Sequence, residues 1–123
     1  MSKVVTTIWG RNFELSVIYQ NYPGEEITGD QQLALSKVET ADYMSAKYGV
    51  EDYIRKFFSD ELGDDNLDNI FRFVIPTSVL LPRLPGKPVF AIMCNFKLDM
   101  EHGIALIFEN GIFKTAGPKD LIL

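Results

Sequence analysis

Residues 89–122 read VFAIMCNFKLDMEHGIALIFENGIFKTAGPKDLI. The apolar runs in this stretch have strand length and are rich in β-branched and aromatic residues, and turn residues separate them. Asn110-Gly111 lies between two such runs. A two-residue type I′ turn needs φ > 0 at both central positions, which makes Asn-Gly a strong local hairpin signal. The last third of the chain is therefore expected to be an antiparallel meander.

The first strands follow the same logic. Lys3 to Trp9 and Phe13 to Tyr19 are β-rich runs separated by Gly10-Arg11-Asn12, which predicts a hairpin with a three-residue loop. In the second run Phe13, Leu15, Val17 and Tyr19 form one apolar face, as in a sheet covered on one side. Pro23-Gly24 ends it.

The middle of the chain has helical signals. Thr28 with Gln31 fits a capping box, with Asp30 as a competing N-cap, for a helix through Leu33, Ala34 and Val38. Thr40 is placed to cap a short second helix through Met44 to Tyr48, with Gly49 as its stop. Val50, Tyr53, Ile54, Phe57 and Phe58 make one apolar stripe for a helix over Val50 to Glu61. Glu51 with Arg55 and Asp52 with Lys56 are acid-before-base pairs at i, i+4. Gly63 ends that helix, and Asp64-Asp65-Asn66 reads as a turn or the cap of a brief helical turn over Leu67 to Phe71. Pro76, Pro82 and Pro85 punctuate the following apolar run, which predicts an edge strand at Ser78 to Leu81 open to a partner strand near Leu80-Leu81-Pro82. Strands, helices, then strands imply an α+β fold: an antiparallel sheet with two or three helices on one face. The length of 123 residues fits a single domain spanning 1–123.

Composition narrows the function classes. One cysteine, Cys94, within an expected strand leaves no internal disulfide and suggests a reducing compartment. It reads as a buried, inert thiol, and Trp9, Phe13, Phe57, Phe58, Phe90 and Phe108 read as core. No secretory signal or membrane-length apolar run is visible, so the cytoplasm is the expected location. Between Glu25 and Asp68 stand twelve acidic and four basic residues, a local balance of −8 within a net charge of −5. That sign argues against direct nucleic-acid binding. It fits either solvated helix surfaces or a face that steers a basic protein partner.

Chemical groups cluster once, at Asp99, Glu101, His102 and Gly103, around the sole histidine. Three readings stand: a turn capped by Asp99 with Gly103 in a strained backbone conformation, a partner-binding surface, or a catalytic or metal site. The metal reading has one imidazole and no His-x-x-x-His or Cys-x-x-Cys beside it, and no cofactor is expected. No phosphate loop or nucleophile elbow occurs.

The run Phe96-Lys97-Leu98-Asp99-Met100-Glu101-His102-Gly103 is followed by an apolar strand, Asn110-Gly111 and Gly117-Pro118-Lys119-Asp120. With Gln31-Gln32-Leu33-Ala34-Leu35 upstream, this order resembles a family of small bacterial domains. Such acidic domains look like immunity proteins of polymorphic or contact-dependent growth inhibition toxins. The resemblance implies an inhibitor that binds a cognate toxin domain, such as a basic nuclease, without chemistry of its own. The contact surface expected from charge is Glu51, Asp52, Asp60, Glu61, Asp64 and Asp65. The alternative is a small enzyme or metal-binding protein using Asp99, Glu101 and His102.

Overall fold

The computed structural model describes residues 2–123. Six strands form one sheet in sequence order: β1 (Lys3–Ile8), β2 (Arg11–Tyr19), β3 (Val74–Leu81), β4 (Val89–Phe96), β5 (Ile104–Glu109) and β6 (Ile112–Gly117). Between β2 and β3 lie α1 (Gly29–Ser36), α2 (Tyr43–Phe57), the single turn α3 (Ser59–Leu62) and a 3₁₀ turn at Ile70–Arg72. The expected α+β architecture is present, with an N-terminal hairpin and a C-terminal meander.

Two turns explain the hairpins. Asn110 and Gly111 have φ of 54° and 80°, the left-handed pair that a type I′ turn requires. The first hairpin is tighter than the three-residue loop expected from sequence. Ile8 pairs with Arg11, so the loop is Trp9-Gly10 alone, at φ of 52° and 82°. Tryptophan is unusual at positive φ. Its indole N–H donates to the Tyr43 carbonyl at 2.6 Å, which fixes the ring against the helical layer.

The strand at Val74–Leu81 corrects the edge assignment. It is central, antiparallel to β4 and parallel to β2 through Ser16↔Ser78 to Tyr19↔Leu81. A parallel pair needs a long crossover, and the helical segment supplies it. Pro76 is tolerated there because the register shifts between Pro76 and Ser78. At that irregularity the Thr77 hydroxyl donates to the Met93 carbonyl at 3.0 Å, where the proline has no N–H to offer. No open edge exists at Leu80-Leu81-Pro82.

The helices also differ from the sequence reading. The capping box forms: Thr28 Oγ1 accepts from the Gln31 N–H, and the Gln31 side chain accepts from the Thr28 N–H, each at 3.0 Å. Gln31 is itself buried, and its amide donates to Asn21 and to the Leu81 carbonyl, tying α1 to β3. Asp30 does not cap; its carboxylate accepts from the Gly86 N–H. The two helices expected around Gly49 are one, capped by Asp42 through the Ser45 N–H rather than by Thr40. Tyr43, Ala46, Val50 and Ile54 are its buried stripe. Phe57, expected in that stripe, is 61% exposed because α2 ends there and the chain turns away.

Helices and sheet enclose the main core. From the sheet come Leu15, Val79, Phe90, Ile92, Leu106 and Phe108; from the helices, Ala34, Ala46, Val50 and Ile54, with Val38 from the turn after α1. Phe90 stacks on Phe108 with ring centroids 4.8 Å apart, and Tyr43 and Phe113 meet Phe108 edge-on. The opposite sheet face has a smaller cluster of Leu80, Ala91, Met93 and Ala105. Ile122, in the segment after β6, packs on it, and the side-chain amide of Gln20, just past the end of β2, donates to the Ile122 carbonyl. No helix among the described residues is long and apolar enough to cross a membrane.

Candidate functional site

The acidic residues singled out from sequence lie on α2, α3 and the turn that follows. Successive helix positions point about 100° apart, so Glu51 and Asp52 diverge. Glu51 lines a cleft of about 440 Å³ with Asp65 and Asp68, beside Lys47 and Arg55. Asp52 lines a separate, shallower groove between α2 and β6. Asp60 and Glu61 sit in the first turn of α3, where the exposed N–H groups favour negative charge. Asp64 and Asp65 follow Gly63, whose φ of 61° swings the chain out of the helix. Glu51 is partly buried, and the other five are exposed.

From Glu51 to Asp68 stand seven acidic residues against Arg55 and Lys56. The expected i, i+4 pairs do not close. Among the described residues the ion pairs are Lys3–Glu14, Arg83–Glu25 and His102–Asp99. Lys56 lies over the Phe57 ring instead, 5.4 Å from its centroid. None of the seven carboxylates has a cation within bonding distance among the described residues, and with Lys47, Arg55 and Lys56 beside them the segment keeps a net negative charge.

The Asp99–Gly103 segment is a capped turn. The Asp99 carboxylate accepts the His102 backbone N–H at 3.3 Å, and its Oδ2 lies 2.9 Å from His102 Nδ1. The Gly103 N–H donates to the Asp99 carbonyl at 2.9 Å. Gly103 has φ of 61°, and a Cβ there would sit 2.6 Å from Lys119 Cε and 3.0 Å from the Cys94 carbonyl. The Lys119 N–H donates to the His102 carbonyl, so the turn also anchors the segment that crosses the sheet. The hydrogen bond to Asp99, then its charge, raises the His102 pKa above 6.5. Glu101 is exposed, and no group of three potential metal ligands occurs among the described residues.

Cys94 is fully buried, and burial pushes its thiol up, which keeps it protonated and unreactive. Two features were invisible in the sequence because distant segments build them. One is the cleft of about 400 Å³ where Arg83 meets Glu25 at 3.3 Å and donates to Asn21 and the Glu26 carbonyl. The other is the groove between α2 and β6; no local spacing signals either. Comparison with protein families, with curated proteins and with solved structures returns no match.

Proposed function

We propose that this chain is an immunity protein: a cytoplasmic inhibitor that binds a basic bacterial toxin domain and neutralises it by direct contact. The observation that supports this most is the run of carboxylates from Glu51 to Asp68 without partner cations, displayed on α2, α3 and the turn beyond. A surface of net negative charge raises the encounter rate with a basic partner and disfavours nucleic acid. The packed sheet holds α2 in place through Ala46, Val50 and Ile54, and α3 follows directly from its end. The inhibitor needs no chemistry of its own. The Asp99–His102 contact serves the turn in this reading, rather than a reaction or a metal.

Protection of cells is the test. The neighbouring gene is expected to encode the toxin domain, which should kill cells expressing it alone and spare cells that co-express the wild-type chain. Joint replacement of Glu51, Asp60, Glu61, Asp64 and Asp65 by lysine should remove protection while the protein still folds. Protection that survives those replacements would discard the acidic surface, and a chain that never protects would discard the immunity reading.

A further inference from the structure

Both edge strands of the sheet, β1 and β6, pair on one side only. β6 pairs with β5 alone, and among the described residues no backbone hydrogen bond from elsewhere reaches Phe113 to Ala116. Beside this open edge runs α2, leaving a groove of about 280 Å³. Its walls carry Tyr53 and Phe57 from the helix and Phe113 from the strand, with Lys56 and Lys114 against a single carboxylate, Asp52. Phe57, at 61% exposed, is a large apolar side chain at the rim, in contact with Tyr53 and with Lys56 over its ring.

An unpaired strand edge accepts an extended backbone, because only that conformation matches its spacing of N–H and C=O groups. A groove with aromatic walls takes an apolar side chain from every second residue of such a strand. Two lysines against one aspartate favour a segment carrying carboxylates. A second copy of this chain is a poor occupant. β6 carries Lys114 and no carboxylate, so pairing the β6 edges of two copies would bring like charges together. We propose that the groove between α2 and the open edge of β6 binds an extended acidic peptide segment by strand addition. The site is independent of the acidic-surface reading and stands or falls separately.

The test is selection of displayed random peptides of about eight residues, a length that spans a strand, on the full wild-type chain. Recovered peptides are then synthesised and titrated. The expected binders alternate aromatic or aliphatic residues with Asp or Glu, and on binding they slow amide exchange within 112–117. Phe57→Glu and Lys114→Glu, both at exposed positions, should each weaken binding by about tenfold while leaving thermal unfolding unchanged. The proposal is overturned if nothing is enriched, if basic peptides are recovered, or if protection maps to β1. It is equally overturned if both variants bind like wild type, or if the free chain dimerises through β6.

Discussion

Gly49 lies inside α2, where glycine costs about 1 kcal/mol relative to alanine. What opposes that gain is the Phe113 ring, 2.5 Å from where a Cβ would be. Overpacking costs about 1–3 kcal/mol, more than the helix propensity returns. Gly49→Ala should therefore destabilise the chain by about 1 kcal/mol in denaturant unfolding, and stabilise it by a similar amount when Phe113 is replaced by alanine. Additive effects of the two changes would remove this explanation of the glycine. His102 gives a second residue-scale prediction. Its raised pKa means that protonated His102 is favoured in the folded state. The contribution is complete below the unfolded value near 6.5 and fades as pH rises through the higher native value. NMR titration should place His102 above 6.5, and Asp99→Asn should return it toward that value; an unmoved titration would contradict the contact.

Elements reveal what local sequence can carry. The capping box at Thr28 and the Asn110-Gly111 hairpin were legible because each is complete within four residues. Gly49 and Pro76 were misread as a stop and an edge marker because their meaning comes from distant partners, the Phe113 ring and the Met93 carbonyl. The same limit applied to the site. Sequence identified the acidic residues, but not that Glu51 shares a cleft with Asp65 and Asp68 while Asp52 faces β6. It identified the Asp99–Gly103 turn, but not that the turn anchors Lys119 and the segment beyond. That segment supports a prediction at this scale. Deleting residues 118–123 removes Ile122 from Leu80, Ala91, Met93 and Ala105. The shortened chain should bind a hydrophobic dye that the full chain does not, and its unfolding midpoint should fall. Equal dye binding would show that the segment covers nothing.

At the scale of the molecule, the helical crossover between the parallel strands β2 and β3 places the acidic segment on the layer that packs over the sheet. The net charge of −5 is concentrated there rather than spread along the chain. Long-range steering falls with ionic strength because the Debye length is about 10 Å at 0.1 M salt. Stopped-flow association with the proposed toxin partner, across a salt series, is the most direct measurement. The wild-type rate should fall steeply as salt rises. The variant with lysine at Glu51, Asp60, Glu61, Asp64 and Asp65 should associate at least about tenfold more slowly at low salt, with a flattened dependence. Equal rates and equal salt slopes for the two proteins would contradict the claim that these carboxylates guide the partner.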